Sequence, residues 1–296
     1  MRSCLSKRFF TLVLTFAMFV TCIMPMNVFA ASETERYPLK NANVTYDIAT
    51  KKVTYEDVIY ATSDTTQVNS KNENFTETQN TRATGNWGTI DNTTGSPYRN
   101  ICWVKSTFSN GKIVYGSGVL VDFDVMLTSG ELVYSHNNGG WASQIEVVPG
   151  KKGNSNPLGT AFATNMTTNN SWINNMSSAW NWGLVDLNNS FSTYQLYTYY
   201  TNPSDMVLKN IVEYVYPNNS NQFYSETFII NATDSIINHY AKINGTGGAI
   251  IDSSTERLVG IDTGYTIMPL NGDSEYRESV RINADLYNRI RAHCGN

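Results

Sequence analysis

The sequence predicts an all-β protein closed by one C-terminal helix, and three observations carry that prediction. From Gly85 onward, short apolar runs alternate with turns rich in Asn, Gly, Pro and Ser. Charged residues make up only 16% of the chain, against about 25% in an average soluble domain. Tyr, Asn, Ser and Thr take their place, which suits an extracellular β-rich protein. Only residues 283–293 combine a cap, helical spacing and a stop signal. Propensity alone leaves open whether the strands build sandwiches or barrels.

The first 30 residues read as a secretory signal. Arg2, Lys7 and Arg8 form the positive end and Phe9 to Ile23 the apolar segment, and Val28-Phe29-Ala30 supplies a cleavage site. Thr11, Thr15 and Thr21 interrupt the apolar run, which argues against a retained anchor. The chain is therefore expected to be secreted, with cleavage after Ala30. Residues 31–84 are polar, and their one clear apolar cluster is Val53 to Ala61. Too little is there for a core, so they read as a pro-segment or flexible leader. Thr81-Arg82-Ala83 offers a processing site at its end, although a tail that is never removed fits the composition as well.

The expected strands follow in order. Asn100 to Val104 and Lys112 to Leu120 are separated by the turn Ser109-Asn110-Gly111, and Val125 to Thr128 and Ser143 to Val148 come next. Trp182 to Leu187, Tyr194 to Tyr200, Ile211 to Tyr216, Glu226 to Ile230 and Ile236 to Ile243 complete the series. The last element opens on Asn283 as N-cap with Asp285 in its first turn. It places Leu286, Ile290 and His293 on one face, and ends with Arg289 and Arg291 against the helix dipole before Gly295.

The formal charge is −4. Loss of the signal removes three basic and no acidic residues, taking it to −7. A mildly acidic chain without a basic block argues against nucleic acid and anionic membrane as partners. Three scattered histidines and distant cysteines form no transition-metal motif, so no metal or cofactor is expected. Asp122-Phe123-Asp124 reads as a polar turn rather than a pair of calcium ligands. Cys4 and Cys22 leave with the signal. Cys102 and Cys294 remain, either as a disulfide or as two independent buried thiols.

The glycine-rich stretch Asn244-Gly245-Thr246-Gly247-Gly248-Ala249 feeds one apolar run, and Leu258 to Ile261 returns as a second. With it go Thr93-Thr94-Gly95-Ser96-Pro97-Tyr98, Gly116-Ser117-Gly118, Leu127 to Tyr134, Pro149-Gly150 to Asn154, Trp180 to Leu187, Tyr216-Pro217 and Arg281-Ile282-Asn283. In this order the segments resemble the secreted bacterial glutamyl endopeptidases, the V8-like branch of the chymotrypsin-like serine proteases, from about Trp87 to the C-terminus. The resemblance implies two packed six-stranded antiparallel barrels with a C-terminal helix. Barrel one would cover about 87–190 and barrel two about 191–280, with an active site in the cleft between them.

At the positions that the family uses for its triad, this chain carries Glu131 for histidine, Asn181 for aspartate and Thr246 for serine. A carboxylate near its ordinary pKa is a weak base toward a hydroxyl, and a neutral amide does not stabilise a cation. The threonine methyl restricts χ1 and crowds the approach to a carbonyl. The resemblance assigns the oxyanion hole to the N–H groups of Asn244 and Thr246. It assigns the specificity pocket to Asp262, where the family has a histidine, and to the retained Thr263. Asp262 would favour a basic over an acidic side chain there, or else serve as an ordinary edge or turn carboxylate. His136, His239 and His293 read as surface or packing residues. The leading expectation is a catalytically inactive, monomeric protease homologue that binds a protein or peptide in its cleft. The alternative is an active endopeptidase with Thr246 as nucleophile and Glu131 as base.

Overall fold

The computed structural model describes residues 42–56, 85–240, 242–243, 245–267 and 275–295. The signal segment, most of the leader and Asn244 lie outside the described residues. In chain order the first strands are β1 (Asn43–Asp47), β2 (Val53–Glu56), β3 (Trp87–Thr89), β4 (Ile101–Phe108), β5 (Ile113–Leu120) and β6 (Val125–Thr128). A short helix α1 (Gly130–Val133) precedes β7 (Tyr134–Ser135), β8 (Gly140–Pro149) and β9 (Ala161–Asn169). Helix α2 (Asn170–Asn175) leads to β10 (Gly183–Leu187). The remaining strands are β11 (Asn210–Val215), β12 (Phe223–Ala232), β13 (Ile236–His239), β14 (Ala249–Asp252), β15 (Arg257–Ile267) and β16 (Tyr276–Arg281), before helix α3 (Ala284–His293).

All strand pairings between these elements are antiparallel, and they close into two six-stranded barrels as the resemblance implied. Barrel one runs β8-β4-β5-β6-β10-β9, with β9 returning to β8. Barrel two runs β12-β11-β14-β15-β16-β13, with β13 returning to β12, and β3 is added on β12. Closure removes free sheet edges, the usual solution for a long antiparallel chain.

Three apolar clusters follow from the period-2 alternation of the strands. Phe108, Leu120, Met126, Leu132 and Val147 fill barrel one. Ile211, Ile229, Ile237 and Ile250 fill barrel two. The opposite faces of the same strands meet between the barrels, where Trp103, Trp182, Tyr216, Ile261 and the Leu286 and Ile290 face of α3 pack together. At about 1.5–3 kcal/mol for each fully buried large side chain, that middle layer holds the barrels together. Asn283 caps α3 as expected, accepting from the Leu286 N–H at 2.9 Å.

Several expectations are corrected. Part of the leader is built into the fold, because β1 pairs with β9 from Asn43↔Asn169 to Asp47↔Asn165. Strands β8 and β9 pair only through Glu146↔Phe162 and Val147↔Ala161, which leaves the later part of the β9 edge open for β1. Ala42 and Val44 are fully buried, whereas Val53 and Tyr55 of the apolar cluster seen in the sequence are exposed. Tyr46 stacks on Trp141 at 5.4 Å. Arg289 does not serve the helix dipole at the surface. It is buried, bound to Asp285, and donates to the Asn43 side chain at 2.5 Å, tying α3 to β1.

The strand expected over residues 194–200 is also absent. Its backbone bonds go to both barrels, from Gln195 N–H to Leu120 O and from Thr198 N–H to Leu258 O, so it serves as the linker between them. Strand β9 escapes the apolar pattern because its buried positions, on both faces, include Thr167, Thr168 and Asn169. Cys102 and Cys294 are both free thiols, so the disulfide reading gives way to its alternative. Cys102 lies inside barrel one, while Cys294 packs against the layer between the barrels.

Candidate active site

Strand β6 ends at Thr128, and the chain turns at Ser129 into α1, which carries Glu131 in its first turn. Across the cleft, Thr246 sits in the loop before β14. Ser117 of β5 holds that loop against barrel one: its N–H donates to Thr246 O at 2.8 Å, and its hydroxyl accepts from the Tyr216 N–H at 2.8 Å. The Thr128 hydroxyl donates to Ser117 O. One serine therefore aligns three segments from both barrels.

The glycines of the loop have steric reasons for being there. Gly247 has φ +76°, and a Cβ on it would sit 2.0 Å from Ser117 O. A Cβ on Gly245 would come equally close to the Val215 side chain. Close backbone approach is what the glycine run permits.

The structure brings Glu131, Asn181 and Thr246 together. The Asn181 side-chain oxygen accepts from the Glu131 backbone N–H at 3.1 Å, fixing the turn that presents Glu131. Burial pushes the Glu131 carboxyl above its ordinary pKa. The neighbouring Thr246 hydroxyl and Arg277 lower it in part, and Asp262 adds to the rise. The Thr246 hydroxyl itself donates to Ser129 Oγ at 2.9 Å. The arrangement is thus Asn181 to Glu131, with Thr246 beside the carboxyl and hydrogen-bonded to a buried serine. Asn244, the other residue assigned to an oxyanion hole, lies outside the described residues.

Asp262 and Thr263, expected from the resemblance at a specificity pocket, are both buried and bonded within the chain. Asp262 is 0% exposed and paired with Arg277 Nη2 at 2.6 Å. Its other oxygen accepts from the Gly264 N–H at 2.9 Å. Arg277 also donates to Gly245 O at 2.5 Å and to the Thr266 hydroxyl at 3.0 Å, so the same guanidinium braces the loop that carries Thr246. The Thr263 hydroxyl donates to Glu278 O. Of the two readings of Asp262, the turn carboxylate is the one that describes it, since it caps the turn at Gly264, although it is buried and its counter-ion is internal.

Glu213 completes the buried group. Burial first, then the Asp262 carboxylate, hold its pKa well up and favour the neutral acid, with Arg277 offsetting part of the effect. His239 is buried at the end of β13, its Nε2 2.9 Å from Ser279 Oγ, and burial lowers its pKa. It is a packing histidine. His136 Nε2 lies 2.7 Å from Ile173 O, and His293 pairs with Asp186 at 2.6 Å, both away from Thr246. Among the described residues, no three of His, Cys, Asp or Glu gather as metal ligands.

Sequence reasoning missed Ser117, Ser129, Glu213 and Arg277. Period 2 offered a signal for two of them. Glu213 shares a face with Ile211 and Val215, and Arg277 with Ser279 and Arg281, and all six are buried. Pairing Arg277 with Asp262 needed the strand register.

Fold and cleft together define a chymotrypsin-like fold in which Glu131, Asn181 and Thr246 are grouped. The solved structures on which the chain superposes share that fold. A curated sequence relative, an extracellular metalloprotease of Bacillus subtilis (strain 168), is 29% identical over 209 residues, covering 68% of this chain. The chain spans 66% of that relative's length. A solved Glu endopeptidase structure superposes with a TM-score of 0.60 at 18% identity, covering 71% of this chain and 97% of that one. The protease Anisep from Arthrobacter nicotinovorans gives 0.54 at 14% identity, covering 64% and 93%. No protein-family model matches the chain.

Proposed function

We propose that this chain is a secreted protease homologue that binds a protein or peptide segment in the cleft between its barrels and does not cleave it. The observation that carries this reading is the Asp262–Arg277 pair. Its guanidinium neutralises Asp262, the residue that the resemblance puts in the specificity pocket, and holds Gly245 O. A ligand side chain finds no vacant carboxylate there, and displacing Arg277 would leave buried charge unpaired. The triad positions add to this, since Asn181 is neutral and Glu131 has no tautomer for it to fix. An extended segment can still bind through backbone pairing to exposed strand edges. The Bacillus subtilis relative is named an extracellular metalloprotease, in keeping with secretion, while among the described residues no set of His, Cys, Asp and Glu fits a metal site.

The test uses the purified chain and a diverse peptide library. Expected are bound peptides recovered intact, with binding unchanged in Thr246→Ala. Cleavage that disappears in Thr246→Ala would overturn the reading.

One observation favours a second reading, an endopeptidase. The Glu131 carboxyl lies beside the Thr246 hydroxyl with its basicity raised by burial. As a base it would take the Thr246 proton while Oγ1 attacks a carbonyl, then return that proton to the leaving amine. Activity would rise as pH increases through the raised Glu131 pKa, because the base must be ionised. Covalent labelling of Thr246 by a phosphonate probe would support it, and failure to label at any pH would exclude it.

A further inference from the structure

An open pocket of about 330 Å³ shares no lining residue with the group around Glu131 and Thr246. Its walls come from the turn after β5, the linker between the barrels, the start of β15 and α3. Tyr287 and Arg291 stand one turn apart on α3 and so share a face. The rings are set against one another: Phe123 meets Tyr194 edge to face at 5.2 Å, and Tyr197 meets Tyr287 in the same way at 5.3 Å. The aromatic wall is therefore preformed. Phe123, Tyr194 and Leu196 are nevertheless each about half exposed, apolar surface that the core does not use.

The polar groups of the pocket have a definite character. Arg257 and Arg291 are exposed, and among the described residues neither guanidinium has an ion pair or a side-chain hydrogen bond. The Tyr194, Tyr197 and Tyr287 hydroxyls likewise have no hydrogen-bond partner among the described residues. Asp122, the carboxylate of the pocket, accepts from the Phe123 N–H at 2.7 Å and lies against the Cys294 thiol, which commits it to its own turn. Two guanidinium groups thus stand beside one engaged carboxylate, in a chain with a formal charge of −4.

The backbone decides what kind of partner fits. The Gln195 N–H donates to Leu120 O, the Thr198 N–H to Leu258 O, the Leu258 N–H to Leu196 O and the Phe191 N–H to Phe123 O. An extended peptide, which binds by pairing with a free strand edge, finds this backbone already bonded. What the pocket offers is side chains: aromatic rings, phenolic hydroxyls and guanidinium forks. A sugar ring complements that set. Its C–H faces stack on the electron-rich faces of aromatic rings, its hydroxyls bond to phenols, and an acid on it fits a guanidinium fork.

We propose that this pocket binds an acidic saccharide, a pyranose unit whose carboxylate is held by Arg257 and Arg291 while its ring lies against the aromatic wall. The site is separate from the cleft and does not rest on what the cleft holds.

The experiment titrates the full chain by calorimetry with a galacturonate tetramer, its methyl ester and a glutamate tetrapeptide, each at two salt concentrations. The free acid should bind about tenfold more tightly than the ester, by a margin that shrinks with salt. The tetrapeptide should bind more weakly than the acid sugar. Arg257→Gln with Arg291→Gln should abolish the margin between acid and ester. Phe123→Ala with Tyr194→Ala should weaken acid and ester alike, by about tenfold. Unchanged thermal unfolding of both variants excludes misfolding, because these side chains are exposed or about half exposed. Equal affinity for acid and ester, or a margin that survives the glutamine variant, overturns the inference. So does a tetrapeptide that binds as tightly as the acid sugar, the behaviour of a merely cationic surface. Absence of binding by all three overturns it as well, and leaves the reading of the cleft intact.

Discussion

The sharpest test of the buried charge group is Arg277→Met. Methionine matches much of the arginine stem but removes the cation that pairs Asp262 at 2.6 Å and holds Gly245 O at 2.5 Å. Removing one partner of a buried pair costs about 3–5 kcal/mol, because the other charge is left uncompensated in a low-dielectric site. In a domain of this size, about 2–4 °C of Tm is lost per kcal/mol, so Tm should fall by roughly 6–20 °C. The pH dependence carries the sign. Glu213 already has its carboxyl pKa raised by burial and by Asp262, and Arg277 offsets that rise. Without Arg277 it rises further. A carboxyl whose folded pKa is raised contributes stability that is full below the ordinary carboxylate range and lost as pH climbs through the folded value. The deficit of Arg277→Met should therefore be largest at neutral pH and narrow toward about pH 4. Urea denaturation across that range measures it. Adding Asp262→Asn should recover about 1–3 kcal/mol as a coupling energy in the double-mutant cycle. A deficit below about 1 kcal/mol that does not change with pH would refute the reasoning, since that is the behaviour of a surface pair.

Three further outcomes follow from the same structure. Val44→Asp puts an unpaired carboxylate where β1 is fully buried, and should cost about 2–4 kcal/mol by thermal unfolding, while the same change at exposed Val53 should be nearly silent. His239 has a lowered native pKa, so its contribution is full above about pH 6.5 and is lost as pH falls through the native value. His239→Gln should flatten the acid limb of the stability curve, and an unaltered limb would show that other groups set it. Finally, the chain lacking residues 1–30 should titrate both Cys102 and Cys294 with a thiol reagent in denaturant without reductant. In the folded state both should react slowly, because burial raises the Cys102 thiol pKa and carries Cys294 up to about 12.

Much of the fold was legible because barrel strands announce themselves locally. Runs such as Val125 to Thr128 and Ile211 to Tyr216 are largely apolar and bounded by turn residues, and Asn283 marks a helix start by its own chemistry. Strand β9 and the hairpin of β1 and β2 were not legible for a physical reason. Their value lies in pairing with partners far away in sequence, and Thr167 or Asn43 looks polar until that partner is known. The segment 194–200 shows the reverse error: aromatic alternation resembles a strand, but its backbone bonds go to two different barrels.

The sequence by itself determined the all-β class, the two-barrel fold through its motif order, and the C-terminal helix. Motif order sufficed for these, since each depends on short segments whose spacing survives translation into structure. Only the tertiary structure decided that Glu131, Asn181 and Thr246 stand together, that Ser129 takes the Thr246 hydroxyl, and that Arg277 pairs with the buried Asp262. Those are relations across strand registers and between barrels. A buried ion pair leaves no local mark, because the energy of each charge is set by the partner that folding brings to it.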